Sequence, residues 1–182
     1  TYIGKENTAP AKASGEHAAA RKLRQSLEAL HKPNTAGAVA KAWKHLGHED
    51  RHIRWAARIA IEHQPTAEWQ SKTLAEKNTQ AALTALCALA RQGDATLQGK
   101  LIAALNRLNW AELKPAQQAE LLRVYQLAFI RMGKPSEAIA SSVEKKLDPV
   151  YPAPLASLNR ELCTLLVYLE SPNAAVKTLA LM

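Results

Sequence analysis

Leu46-Gly47-His48-Glu49-Asp50-Arg51-His52-Ile53-Arg54-Trp55-Ala56-Ala57 is the stretch from which the rest of the chain can be read. Glycine after an apolar residue ends one helix, and Asp50 is placed to cap the next through its side-chain oxygen. From there Ile53, Ala56, Ala57 and Ala60 recur at offsets of three and four, which puts them on one side of a helix. The branched residue anchors that side, and the alanines let a neighbouring helix come close.

Outward from this segment the same grammar repeats. Ala20, Leu23, Leu27 and Leu30 share a face before Pro33-Asn34 breaks the chain, and Val39, Trp43 and Leu46 mark the helix that stops at Gly47. Gly93-Asp94 reads as a helix end followed at once by a cap, and Lys114-Pro115 and Lys134-Pro135 place proline near a first turn. Ser171-Pro172 pairs a capping hydroxyl with proline at the first helical position. The nine prolines fall in the lead-in, between helices or in a first turn. These signals predict helices over 16–31, 35–46, 50–63, 66–75, 78–92, 95–108, 115–132, 135–147, 156–170 and 172–182. Leu121–Met132 is apolar nearly all round and is expected to be the most buried. Residues 1–15, polar and aperiodic after a strand-like Tyr2-Ile3-Gly4, read as an extended lead-in from a preceding domain.

Composition agrees with an all-α fold. The 182 residues are 47% hydrophobic with a single Phe, and Ala and Leu supply most of the apolar side chains, which suits close helix packing over a sheet core. Cys87 and Cys163 lie in apolar helical runs and read as small core residues; no disulfide framework is expected. No apolar stretch has membrane length.

The opening stretch resembles the HEAT-repeat consensus, in which a helix starts with an acidic residue, then a branched residue and Arg, then paired alanines. The frame recurs 123 residues later, Leu46 matching Leu169, Asp50 matching Asn173, Ile53 matching Val176 and Arg54 matching Lys177. A weaker copy starts at Asn78, with Ala81, Ala85 and Ala88 in the places of Ile53, Ala57 and Ala60. The expectation is an α-α superhelix, a solenoid of about five helical hairpins over residues 16–182.

A narrower resemblance covers almost the whole chain. Residues 58–65, 104–110, 128–135 and 159–163 look like the HEAT-repeat segment of large exported planctomycete-type multidomain proteins. In that family the segment lies between a β-propeller related to sugar dehydrogenases and a c-type cytochrome domain. The resemblance implies a periplasmic or extracellular parent with redox chemistry, in which this chain is a spacer whose partners are the flanking domains or another protein. Cys87 is followed by Ala-Leu-Ala and Cys163 by Thr-Leu-Leu, so neither belongs to a Cys-x-x-Cys-His haem attachment site and no cofactor is expected here.

Chemistry-bearing constellations are few. His45, His48 and His52 are the one local histidine group, but a helix starting near Asp50 leaves His48 in a turn, so no metal site is assigned. The three aspartates, Asp50, Asp94 and Asp148, all fall at helix boundaries, where they are expected to satisfy free N–H groups. There is no Gly-x-Ser-x-Gly turn and no glycine-rich phosphate loop, and no catalytic residue is assigned. With 24 Lys and Arg against 16 Asp and Glu, the net charge is +8, spread along the chain. The sharpest basic feature is the strip Arg51, Arg54, Trp55 and Arg58. It reads either as a binding surface for nucleic acid or an acidic protein, or as a repeat arginine paired with acidic groups nearby while its neighbours are solvated. Trp43, Trp55, Trp69 and Trp110 are expected in packing. The leading functional expectation is a non-catalytic scaffold or interaction module; a nucleic-acid-binding helical repeat is the alternative.

Overall fold

The computed structural model describes Gly4 and residues 15–181, so the strand-like Tyr2-Ile3 and most of the expected lead-in lie outside the described residues. The described chain is all-helical, with 70% helix and no strands. Ten α-helices follow in order: α1 (Ala18–Glu28), α2 (Ala38–Trp43), α3 (Arg51–Glu62), α4 (Gln70–Ala75), α5 (Thr79–Gln92), α6 (Gln98–Asn106), α7 (Pro115–Met132), α8 (Glu137–Leu147), α9 (Ala156–Tyr168) and α10 (Ala174–Leu179). Single 3-10 turns at Thr66–Glu68, Ala95–Leu97, Trp110–Glu112 and Asp148–Val150 tighten the connections.

Odd-numbered helices form one row: α1 packs on α3, α3 on α5, α5 on α7, and α7 on α9. Even-numbered helices line the other side, α4 against α6 and α6 against α8, and chain neighbours such as α2–α3, α5–α6 and α9–α10 join the rows. The main helix-to-helix contacts therefore connect helices no more than two places apart. One apolar cluster runs through the stack from Leu27 to Ala174, with Trp69, Tyr125, Leu46, Ile53 and Leu89 fully buried in it.

Local chemistry explains the starts and stops. Asp50 Oδ1 accepts from the His52 amide (2.7 Å), and Asn78 Oδ1 accepts from the Ala81 amide (2.9 Å), capping α3 and α5. Ala81, Ala85 and Ala88 are buried as Ile53, Ala57 and Ala60 are, so the weaker sequence copy reproduces the environment of the first. The copy at Leu169 does not. α10 starts at Ala174, Asn173 provides no side-chain cap, and Val176 is 71% exposed where Ile53 is buried. Ser171 caps nothing; its hydroxyl faces the Glu144 and Asp148 carboxylates. The carboxylate of Asp148 likewise takes Lys177 Nζ at 2.9 Å instead of free helical N–H groups, a tertiary pairing that replaces the expected cap.

The most enclosed helix is α5, not Leu121–Met132. Nine α5 residues are buried because it is flanked by α3 and α7 and covered by α4 and α6. In α7, Arg123, Ile130 and Arg131 remain exposed, because one side of the helix has no neighbour. Gln64, buried at the end of α3, joins distant backbone: its amide donates to the Lys32 and Ala60 carbonyls, and its oxygen accepts from the Thr35 amide.

Candidate binding groove on the α3–α5–α7 face

On the odd row, a side-chain bridge joins α3 and α7 across α5. Arg54 Nη2 of α3 reaches Glu120 Oε1 of α7 at 3.3 Å, crossing above Gln80 of α5. Gln80 donates to Glu120 (2.6 Å) and accepts from Gln117 (3.1 Å), so three helices are bridged at one end. Beside this bridge lies a groove of about 460 Å³. Leu83, Thr84 and Cys87 of α5 lie between walls contributed by Arg54, Trp55 and Arg58 of α3 and by Arg123, Val124 and Leu127 of α7.

At the other end Glu62, only 7% exposed, sits between two guanidiniums: Arg58 Nη1 at 3.3 Å and Arg91 Nε at 3.0 Å. These are close charge contacts without hydrogen-bond alignment, since Glu62 Oε1, Arg58 Nε and Arg91 Nε each lack an aligned partner. The attraction survives poor alignment because Coulomb energy depends on distance, whereas the hydrogen-bond contribution is lost. Arg58 Nη1 also lies 3.4 Å from Cys87 Sγ. Burial pushes the Cys87 thiol up despite the nearby arginine, leaving it a protonated, poor nucleophile at neutral pH.

The groove therefore carries four guanidiniums, from Arg54, Arg58, Arg91 and Arg123, against the carboxylates of Glu62 and Glu120. Arg123 forms no ion pair among the described residues, and its Nη1 donates to Gln126 Oε1 at 3.4 Å. A second depression of about 360 Å³ lies on the next sector of α7, between Gln126, Phe129 and Ile130 and the α9 residues Glu161, Leu165 and Tyr168. It is predominantly apolar, with Phe129 and Tyr168 stacked at 5.6 Å and Ile130 72% exposed.

The strip expected on α3 is divided by the fold. Arg54, Trp55 and Arg58 line the groove, while Arg51 stands outside it with its guanidinium 5.1 Å from the Trp55 ring centre. Arg54 has the acidic partner expected of a repeat arginine, though on α7 and not on the adjacent α5, and it also donates to the His48 and Glu49 carbonyls (2.7 and 2.9 Å). Trp43 and Trp69 are core residues and Trp110 is partly buried against the core, but Trp55 is 48% exposed, contrary to the packing role expected for all four. Cys87 and Cys163 are half-buried and not full core residues. Arg91 and Arg123 were not part of the predicted strip. Each sits in its own helix with no local signal, and only the packing of α3, α5 and α7 brings them beside Arg58.

Among the histidines, His48 Nδ1 accepts from the Asp50 amide (3.0 Å), which commits it to the turn before α3. Burial and the neighbouring His48 and Lys44 hold His45 below the usual histidine range. Among the described residues, no three His, Cys, Asp or Glu side chains are grouped to hold a metal ion, and no helix is long and apolar enough to cross a membrane. No family model matches this chain, and no curated protein or solved structure matches it either.

Proposed function

We propose that the chain is a non-catalytic α-solenoid module of HEAT type that holds a protein partner on the concave side of its odd-numbered helices. The bridge from Arg54 to Glu120 over α5 carries this reading, because it ties two helices that flank a third beside an open groove. Main helix-to-helix contacts between helices one or two places apart support a stack in which each hairpin shields the next. The groups in the groove are suited to holding and not to reacting: arginines do not titrate near neutrality, and the one thiol is pushed up by burial. The resemblance in residues 58–65, 104–110, 128–135 and 159–163 extends the proposal to a spacer between a propeller and a cytochrome domain of an exported redox protein.

A photoreactive phenylalanine analogue placed singly at Trp55, Ile130, Lys100 or Lys145 tests this in cells of the source organism. Adducts from the Trp55 and Ile130 positions, on the odd row, with none from Lys100 on α6 or Lys145 on α8, are expected. Equal labelling from both sides, or none from the odd row, would reject it.

The grouping of Arg54, Arg58, Arg91 and Arg123 favours a second reading, a nucleic-acid-binding helical repeat. Duplex binding that weakens steeply with salt is its signature, and no binding at low salt removes it.

A further inference from the structure

We propose that the partner presents an acidic segment with a large apolar side chain close by. Its carboxylates would lie against Arg58, Arg91 and Arg123, and its apolar side chain between Ile130 and Tyr168. This rests on the reading of the odd row as a docking face and assigns the chemistry of what docks.

Three observations lead there. First, the α3–α5–α7 groove holds more guanidinium than carboxylate, and Arg123 is exposed and forms no ion pair among the described residues, so an incoming carboxylate gains an ion pair without displacing one. Guanidinium is also weakly hydrated, which lowers the cost of forming that pair. Second, the lining is apolar at Leu83, Val124 and Leu127, which a strongly hydrated free anion would not use but a peptide side chain would. Third, the apolar depression lies beside the basic one on the same helix. Arg123 and Ile130 are seven residues apart on α7, about 10 Å along the axis at 1.5 Å per residue. Roughly three residues of extended chain span that distance.

The same geometry disfavours a nucleic acid. A phosphate backbone needs cations at successive positions along its path. Between α7 and α9, however, the depression is lined by Phe129, Ile130, Glu161, Leu165 and Tyr168, a carboxylate among apolar groups. Trp55, the exposed ring of the groove, already has Arg51 over it and His52 against its edge.

The test uses the full chain and fluorescein-labelled peptides in a Gly-Ser background, read by anisotropy. The probe carries two glutamates with phenylalanine three residues on; companions replace Glu by Gln, Glu by Lys, or Phe by Ser, and labelled single-stranded and duplex DNA complete the set. The Glu/Phe probe is expected to bind, and the Gln-for-Glu and Ser-for-Phe companions to bind about tenfold more weakly. Arg123→Glu should lose about tenfold for the Glu probe and gain binding of the Lys companion, while Ile130→Ser should weaken only phenylalanine-bearing probes. Lys100→Glu on α6 serves as the outer-face control, and circular dichroism confirms that each variant folds. No binding of the Glu/Phe probe, binding indifferent to Arg123→Glu, or DNA binding that exceeds peptide binding and is lost in Arg123→Glu would each overturn the proposal. Crosslinks from Trp55 and Ile130 together with a silent peptide would refute only the acidic-apolar assignment; absence of those crosslinks would refute the docking face itself.

Discussion

Removing Arg54 and Glu120 singly and together tests whether α3 and α7 are energetically joined across α5. The charges lie 3.3 Å apart, and in an effective dielectric of about 20 they attract by roughly 5 kcal/mol. Most of that is offset, because the Arg54 side chain is only 14% exposed and has been desolvated, while Glu120 is 38% exposed and screened. A coupling of about 1 kcal/mol should remain. Arg54→Ala also removes two charged donors from the His48 and Glu49 carbonyls, so its total cost should be about 3 kcal/mol. Glu120→Ala, which also strips the acceptor from Gln80, should cost about 1.5 kcal/mol. The carbonyl losses occur in both Arg54→Ala backgrounds and the Gln80 loss in both Glu120→Ala backgrounds, so they cancel in the cycle and leave the pair. Urea denaturation followed by far-ultraviolet circular dichroism measures all four proteins. The double variant should be less destabilised than the sum of the singles by about 1 kcal/mol. Additivity within about 0.3 kcal/mol would show that the two helices do not meet, and the groove would lose its main support.

Four tryptophans lie between Trp43 and Trp110, so their fluorescence reports the first part of the stack while circular dichroism reports all of it. Leu162→Ala in α9 leaves a cavity costing about 2–5 kcal/mol, and its dichroism transition should shift more than its fluorescence transition; coincident shifts would contradict nearest-neighbour stabilisation. At Gly93 an added Cβ would stand 2.7 Å from the Leu89 carbonyl oxygen, which already accepts from the Gly93 amide, and 3.0 Å from the Met132 methyl. Gly93→Ala should therefore cost about 1–3 kcal/mol in thermal unfolding, whereas Gly37→Ala, strained by φ +71° but sterically open, should cost about 1 kcal/mol. A smaller effect at Gly93 than at Gly37 would refute the steric reasoning. Lys177, with help from Asn173 and Ser171, holds the Asp148 carboxyl below its ordinary 3.8. That contribution is present above 3.8 and is lost as pH falls through the lower folded value, so Lys177→Met should flatten the acid limb of a stability–pH curve. An unchanged limb would show that the pair contributes nothing.

The chain's own residues determined its helices and most of their limits. Periodicity at Ile53, Ala56, Ala57 and Ala60, caps at Asp50, Asp94 and Asn78, and prolines kept out of helix interiors are local properties, set by backbone geometry over a few residues. The same locality explains the misses. Asn173 and Ser171 have the residue types of caps, but a corner shared with Asp148 and Lys177 draws their side chains away. Arg54 advertised itself within a repeat frame, whereas Arg91 and Arg123 had nothing nearby to distinguish them from solvated charge. Only the tertiary structure decided that these arginines share a groove and that Trp55 stays half-exposed. It also decided that α5, and not α7, is the most enclosed helix. The physical reason is that a single helix declares which of its sides is apolar, but not which neighbours will pack around it. Here the packing of α3, α5 and α7 placed the outer two close enough for charges 66 positions apart to meet.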